Sequence, residues 1–187
     1  MSDPGGEREH RLRVPVGDED WVRGPDFAPV TLVEYLDFEC EHCQALYPVL
    51  ERLFVAYRDH MRFVVRHFPV TSGHPRAMGA ALAAEAAGRQ GKFWGMHERL
   101  FKNPGKLDPD DLIAHARALR LDLKRFEDDM SDDALRRKIE EEKRQGIRSG
   151  VNGTPTLFLN DVRYDGARTL EALEEAVEAE AHKGRSD

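Results

Sequence analysis

The chain has 187 residues and a formal net charge of −7, with 28 lysine and arginine residues against 35 aspartate and glutamate residues. Hydrophobic residues make up 40% of the sequence and charged residues 34%, a balance typical of a folded protein that can bury a sizeable core. The acidic balance and the lack of a basic run argue against nucleic acid as a partner. No apolar stretch reaches the ~18 residues that a spanning helix needs, so we expect no membrane insertion.

The first twenty residues carry charges throughout and lack the apolar segment of a secretory signal peptide. The sequence therefore predicts a cytoplasmic protein, or a periplasmic or extracellular one if a signal was removed, and it also fits one domain of a longer polypeptide. Two cysteines occur, Cys40 and Cys43. In a reducing compartment such a pair is more often catalytic or metal-binding than structural, and closing so short a loop would remove little entropy from the unfolded chain.

The first half of the chain predicts a strand, a helix and a second strand. Residues 1–10 are expected to be flexible, and Arg11–Val16 to form a short edge strand. Val30–Phe38 is nearly continuous in apolar and β-branched residues, which indicates a strand buried on both faces. Apolar residues then recur at helical spacing up to Tyr57, and Met61–Arg66 predicts the next strand. Together they indicate a parallel βαβ unit.

Helical patterns dominate residues 74–149. Within them, Arg120–Arg148 carries acidic and basic residues in equal numbers, which predicts a solvated helical surface without a net field. Strand patterns return at Thr156–Leu159 and Val162–Tyr164, and the two residues between them suit a tight antiparallel turn. A closing helix is predicted from about Leu170 to Ala181.

The order of these elements predicts an α/β fold with one mixed sheet. Residues 11–73 and 150–182 would form the sheet domain together, residues 74–149 an inserted helical subdomain, and residues 183–187 a tail.

The cysteines lie where the buried strand ends and the helix begins. A sulfur at a helix N-terminus meets unpaired backbone N–H groups and the positive end of the dipole, so the pKa of Cys40 should lie below the usual value of about 8.5. Cys43 follows one turn later, near enough to attack a mixed disulfide formed at Cys40. Between them, His42 adds positive charge near the thiolate, whereas Glu41 opposes it.

A structural zinc site is the main alternative for this cysteine pair. Such a site needs four ligands, usually two cysteine pairs or cysteines with paired histidines. The chain has one cysteine pair, and His74, His97 and His115 do not show that paired spacing. The residues therefore favour redox chemistry over a zinc site or an inert buried pair, and we expect no metal.

Two segments carry a resemblance to a known family, Leu32–Cys43 (LVEYLDFECEHC) and Gly150–Leu159 (GVNGTPTLFL). Together with a helix like Lys92–Phe101 (KFWGMHERLF), they resemble the thioredoxin superfamily and, within it, the DsbA-like thiol–disulfide oxidoreductases. The resemblance extends from about Arg11 to Ala181. It implies a thioredoxin fold with an inserted helical subdomain and a redox-active cysteine pair that requires no cofactor.

The resemblance also implies roles for individual residues. Cys40 matches the exposed nucleophile and Cys43 the resolving cysteine. Pro155 matches a proline that follows a cis peptide bond and packs beside the cysteines, and the backbone near it and Thr154 would pair with an extended substrate segment. Glu34 matches a buried acid that takes the proton from the resolving thiol.

Four residues are interpreted from their positions. Glu34 is unusual in an apolar strand, because a buried carboxylate costs free energy unless it is paired or protonated; the alternative is a side chain at an edge or in a salt bridge. Phe38, which flanks the motif, is expected to form part of an apolar peptide-binding surface. His67 and His97 are expected to be structural.

The sequence thus predicts a thiol–disulfide oxidoreductase that acts on protein thiols and disulfides with an unidentified redox partner. We expect a monomer, since no dimerisation domain is evident. The alternatives are a redox-sensing or metal-binding domain that uses the same pair, a disulfide isomerase, and a small-molecule isomerase or transferase, although the last group typically lacks an intact cysteine pair. Glu41-His42 replaces the Pro-His of the best-known oxidising members, so a strongly oxidising potential is not implied.

Overall fold

A computed structural model describes residues 10–183, in which five strands form one mixed sheet of order β1-β3-β2-β4-β5. β2 pairs in parallel with β3, and the other three strand pairs are antiparallel. The α/β fold with a mixed sheet and a parallel βαβ unit is therefore confirmed. The strands are Trp21–Arg23 (β1), Val30–Leu36 (β2), Met61–His67 (β3), Thr156–Leu159 (β4) and Val162–Tyr164 (β5).

Seven helices complete the described part of the chain, and five of them lie between β3 and β4, where the sequence predicts the helical subdomain. The helices are Glu41–Tyr57 (α1), Ala77–Gly88 (α2), Phe93–Lys102 (α3), Pro109–Ala118 (α4), Leu123–Met130 (α5), Asp133–Arg148 (α6) and Leu170–Lys183 (α7). Among residues 10–183, none of these helices has the length and apolarity required to cross a bilayer. Apart from His10 and Lys183, the predicted flexible segment 1–10 and tail 183–187 lie outside the described residues.

The central strand β2 is buried on both faces, as its near-continuous apolar sequence predicts. Successive side chains of a strand point to opposite faces, so Leu32 and Leu36 enter the larger apolar cluster with α1 and the inserted helices. Val33 and Tyr35 enter a second, smaller cluster on the other face. The cysteine motif, which follows the C-terminal end of β2, therefore begins between these two packed layers of side chains.

The N-terminal segment differs from the expectation. Arg11–Val16 is not a strand: Arg11 forms a single isolated bridge with Val162. The backbone carbonyls of Val14 and Pro15 accept hydrogen bonds from the buried guanidinium of Arg66, at 2.9 and 3.0 Å, instead of pairing with a strand. Pro15 has no N–H to donate to a sheet ladder. The sheet has β1 at one edge and β5 at the other, and the sequence did not predict β1.

Residues 10–12 cover the outer edge of β5. The backbone N–H of Arg163 donates to the carbonyl of His10 at 2.8 Å, and the N–H of Leu12 donates to the carbonyl of Asp161 at 2.9 Å. Asn160 and Asp161, at the predicted turn between β4 and β5, both have positive φ, at 44° and 69°, which a tight two-residue hairpin requires. The antiparallel hairpin is as predicted.

Helix α6 is not the fully solvated surface that its charges suggest. It buries Leu135 and Ile139 in the main apolar cluster, and Glu142 is also buried. The Glu142 carboxylate accepts a hydrogen bond from the backbone N–H of His67 at 2.6 Å, which joins α6 to β3. A buried carboxylate with a specific donor stabilises this contact between the insertion and the sheet.

Candidate active site

Cys40 is the N-cap residue of α1, and its own backbone N–H donates to the carbonyl of Asp37 at 3.1 Å. The two thiols of the motif are free. A hydrogen bond from the Cys43 side chain, with further bonds from the Thr154 side chain and the backbone N–H groups of Cys43 and His42, lowers the pKa of Cys40 to about 5 against the opposing effect of burial. Donors of this kind stabilise an anion, so Cys40 is a thiolate at neutral pH.

Cys43 has the opposite character. Burial raises the pKa of Cys43 well above its usual range, and its hydrogen bond to Cys40 and the nearby charge of Glu34 raise it further. Its side chain is fully buried, one turn inside α1. The pair therefore holds one thiolate and one protonated thiol, as expected for a nucleophile followed by a reserve thiol.

Glu34 lies in the middle of β2, paired with Val65 of β3 and Leu157 of β4. The central position excludes the edge-facing alternative, and no ion pair among the described residues includes its carboxylate. Burial raises the pKa of Glu34 to about 8, although the positive charge of Arg23 lowers it in part. A carboxyl group with such a pKa can hold or release a proton close to neutral pH.

Arg23 reaches the same side of the sheet from β1. Its guanidinium lies 4.3 Å from the ring centre of Phe54, 4.9 Å from that of Phe63 and 4.7 Å from that of Trp94. The same guanidinium forms an ion pair with Glu51 of α1. Three aromatic rings thus fix a cation whose charge reaches the Glu34 carboxyl.

The loop before β4 lies against the first turn of α1. The Cys40 Sγ is 3.4 Å from the backbone carbonyl oxygen of Thr154. The Thr154–Pro155 peptide bond is cis, and Pro155 is buried. Residues more than a hundred positions apart in the sequence are thereby brought to one place.

An open cavity of about 570 Å³ adjoins Cys40. Its wall includes the exposed side chains of Glu41 and His42, at the start of α1. The other residues that line it come from the segment after β2, from α1, from the segment before α2 and from the loops before α4 and β4: Glu39, Gln44, Val70, His74, Arg76, Pro104, Gly153 and Thr154. Most of these side chains are polar or charged.

Phe38 does not form part of this surface, and its interpretation as an apolar peptide contact is wrong. Only 1% of the residue is exposed. Its ring centre lies 4.9 Å from that of Phe101 and 5.8 Å from that of His97, both in α3. Phe38 therefore packs the inserted subdomain against the end of β2. His97 is also buried, in agreement with its expected structural role.

Two site residues were missed by the sequence interpretation, Asp37 and His74. The Asp37 side chain is fully buried, and its Oδ1 accepts from the backbone N–H of Glu39 at 2.8 Å. Its Oδ2 accepts from the backbone N–H of Val70 at 2.8 Å and from Nδ1–H of His74 at 2.7 Å. In the sequence, the only signal was the acidic residue Asp37 at the end of a buried strand. That signal does not indicate that His74 is its partner.

Within residues 10–183, one group of side chains could share a metal ion, namely His67, Glu85 and Glu142, whose ligand atoms lie within 4.8 Å of one another. The ammonium of Lys138 donates to Glu85 at 2.7 Å and to Glu142 at 2.8 Å, and the Trp21 indole N–H also donates to Glu85 at 2.7 Å. A lysine therefore already neutralises these carboxylates. Neither cysteine belongs to the group.

The chain matches known proteins over most of its length. The family model Thioredoxin_4, described as thioredoxin, matches residues 17–179. A curated relative from Salinispora arenicola, named Na(+)/H(+) antiporter NhaA 1, is 47% identical over 167 residues, which are 89% of this chain and 26% of that protein. A relative from Herminiimonas arsenicoxydans, named Na(+)/H(+) antiporter NhaA, is 39% identical over 169 residues, which are 88% of this chain and 27% of that protein. The chain spans about a quarter of the length of these curated relatives.

Solved structures share the whole architecture. A thioredoxin-like oxidoreductase from Silicibacter pomeroyi DSS-3 is 25% identical with a TM-score of 0.78, covering 91% of this chain and 95% of that one. Wolbachia pipientis alpha-DsbA1 has a TM-score of 0.80 at 21% identity and covers 94% of this chain and 96% of its own. With the match of the family model, the five-stranded sheet and the helices inserted between β3 and β4 place the chain in the thioredoxin family Thioredoxin_4, and the alpha-DsbA1 structure shares its fold.

Proposed function

We propose that the protein is a thiol–disulfide oxidoreductase that exchanges disulfides with protein substrates through Cys40 and Cys43. The observation that carries the proposal is the opposite shift of the two thiols, with the pKa of Cys40 at about 5 and that of Cys43 well above its usual range. Disulfide exchange needs a thiolate to attack first and a second thiol that stays protonated until it is required. The two side chains meet both requirements, and Cys40 lines an open cavity.

In the reducing direction, the Cys40 thiolate attacks one sulfur of a substrate disulfide. A bond forms between the two sulfurs, and the other substrate sulfur leaves as a thiolate that takes a proton from water. Cys43 then loses its proton and attacks the Cys40 sulfur, which closes the Cys40–Cys43 disulfide and releases the second substrate thiolate. The oxidising direction is the reverse of these steps.

We assign the proton of Cys43 to Glu34 in the second step. Glu34 shares the buried region behind the motif, and its negative charge raises the pKa of Cys43. With a pKa of about 8, a fraction of Glu34 is ionised at neutral pH and can accept that proton without a path to bulk water.

We assign substrate contacts to the loop of Thr154 and Pro155. The Thr154 carbonyl lies beside the attacking sulfur, so a substrate segment that reaches Cys40 also reaches this backbone. An extended segment could pair there by strand addition. His42 is also assigned to the site, through the backbone N–H that stabilises the thiolate.

The similarities support this chemistry. The Silicibacter pomeroyi neighbour is titled a thioredoxin-like oxidoreductase, and Wolbachia pipientis alpha-DsbA2 is titled a thiol-disulfide exchange protein. The antiporter name belongs to curated proteins about four times as long as the match. A metal-binding role for the cysteine pair has less support, because neither thiol joins the side-chain group that could share an ion.

The test is turnover of a disulfide-linked, fluorescence-quenched peptide by the wild type and two serine variants. Cys40→Ser should lower turnover at least ~1000-fold, because the attacking thiolate is lost. In Cys43→Ser, Cys40 should still attack, and a mixed disulfide should accumulate whose mass equals that of the protein plus one peptide thiol less two hydrogens. Turnover by Cys40→Ser at the wild-type rate would end the proposal.

The direction in the cell follows from the reduction potential of the pair, measured against glutathione buffers by thiol alkylation and mass. A potential near about −120 mV would identify a donor of disulfides, and one near about −270 mV a reductase.

A further inference from the structure

A second imidazole lines the cavity beside Cys40, that of His74. His74 lies on the segment between β3 and α2, and 29% of its side chain is exposed. Its Nδ1–H donates to the buried carboxylate of Asp37. Two backbone N–H groups fix that carboxylate in turn, so the ring has little freedom to turn away.

The surroundings of His74 favour a positive charge. The hydrogen bond to Asp37 raises the pKa of His74 above its usual value, and the negative charges of Asp37, Cys40 and Glu39 raise it further. The effect of Cys40 is reciprocal: if the thiolate favours the imidazolium, the imidazolium must favour the thiolate by the same free energy. His74 and Cys40 are therefore electrostatically coupled.

We propose that His74, held by Asp37, is a positioning residue that stabilises the Cys40 thiolate and takes up part of a proton when the disulfide is reduced. The proposal rests on the proposed function, since it concerns the same cysteine pair. In the oxidised protein the Cys40 sulfur is bonded to Cys43 and carries no charge, so His74 loses its proton at a lower pH. Two electrons and one proton convert the disulfide into the Cys40 thiolate and the Cys43 thiol. At pH values between the pKa of His74 in the oxidised protein and its pKa in the reduced protein, reduction also adds a fraction of a proton to the His74 ring.

The other charged groups around His74 are those of Glu39, Arg76, Glu41 and His42. Glu39 accepts from the backbone N–H of Arg76 at 2.7 Å and from its Nε at 3.1 Å, so this pair is close to neutral as a unit. Glu41 is an exposed carboxylate on the same cavity wall. His42 is the other imidazole of the cavity and could imitate the effect of His74, so its variant has to be tested in the same experiment.

The experiment measures alkylation of Cys40 by iodoacetamide in the reduced protein between pH 4 and pH 8, with the modified peptide identified by mass. His74→Gln should raise the apparent pKa of Cys40 by roughly half to one pH unit, which slows alkylation at pH 4.5 by roughly two- to eight-fold. His74→Lys keeps a cation and should retain the wild-type profile. His60→Gln changes an exposed histidine beyond the far end of α1 and should have no effect. His42→Gln is run in parallel to give the contribution of the other ring.

A second readout follows the His74 ring by proton NMR in the oxidised and reduced protein. We expect its pKa to be higher in the reduced protein, by the same shift that His74→Gln produces at Cys40. Equal titration points in both redox states, or an alkylation profile of His74→Gln identical to the wild type, would overturn the proposal. Neither readout uses a substrate. Failure of this coupling therefore leaves peptide turnover intact, whereas failure of the proposed function is seen in the turnover of Cys40→Ser.

Discussion

Two buried glutamates in this protein have the same exposure, but their pKa values are shifted in opposite directions. Glu34 and Glu85 are each 2% exposed. Burial raises the pKa of Glu34 to about 8. Burial acts on Glu85 in the same direction, but its bond to His67 and the charge of Lys138 hold the pKa of Glu85 below its usual range.

The difference shows that burial alone does not decide the state of a carboxyl group. Glu85 joins β1, β3, α2 and α6 through hydrogen bonds to Trp21, His67 and Lys138, and it stabilises the fold as an anion. Glu34 has no comparable set of donors and stays protonated up to about neutral pH at a cost in stability. A fold that retains such a cost beside a reserve thiol points to chemistry rather than to packing.

The largest effect is expected for Lys138→Met. The change keeps most of the side-chain volume but leaves Glu85 and Glu142 buried without their ammonium partner, which should lower the free energy of unfolding by about 3 to 5 kcal/mol. Urea titration at pH 7 measures it. Lys124→Met is the matched control, since Lys124 and its partner Asp128 are exposed, and its urea midpoint should stay close to that of the wild type. Equal urea midpoints for the two variants would contradict the structural role given to the contacts of Lys138 with Glu85 and Glu142.

Glu34→Gln should act in the opposite direction and stabilise the protein. In the wild type, Glu34 keeps its proton in the native state up to about pH 8, whereas in the unfolded chain Glu34 releases it above the usual pKa of a glutamate. Wild-type stability therefore falls as pH rises from about 4.5 to 8. A glutamine carries no charge and avoids this loss, a gain of about 3 kcal/mol at pH 7 that vanishes near pH 4.5. Denaturation at both pH values tests the sign. The variant should also slow formation of the Cys40–Cys43 disulfide, and a gain that did not depend on pH would contradict the assignment.

Glu85→Gln, the same substitution at the other site, should destabilise the protein by about 2 kcal/mol at pH 7, because Lys138 then keeps only Glu142 as an anionic partner. A carboxyl group with a lowered pKa contributes stability above its unfolded pKa and loses it as pH falls through the folded one. The loss of unfolding free energy in Glu85→Gln should therefore shrink as pH falls below the usual pKa of a glutamate. The gain of unfolding free energy in Glu34→Gln should instead grow as pH rises from about 4.5 to 8. Unfolding curves from pH 3 to pH 8 would compare both, and parallel pH profiles would contradict the contrast.

The sequence predicted the elements whose signals are local and strong. β2, α1 and β3 have long, regular apolar patterns, and their ends agree with the prediction to within two residues. β1 has only three residues and was missed, because its position depends on distant contacts: Trp21 stacks on Phe93 with 4.6 Å between ring centres and donates to Glu85. No pattern within residues 21–23 contains that information.

The same limit applies to the candidate site. Cys40, Cys43 and Glu34 are found from spacing and motif. In the structure the two thiols are hydrogen-bonded at the start of α1, and the charge of Glu34 acts on Cys43. His74 joins them only through a carboxylate 37 residues earlier, so the sequence gives no local sign of it. Phe38 lies two residues beyond the end of β2, where strand alternation no longer tells which face a side chain takes.

The pairing of residues 10–12 with β5 has a consequence for how the molecule behaves in a crowded solution. An uncovered outer strand offers a row of free N–H and C=O groups on which other chains can assemble into aggregates. Here the chain occupies that edge with its own backbone, and the opposite edge of the sheet is a strand of only three residues. Loss of the first dozen residues would therefore open a template for self-association while leaving both cysteines in place.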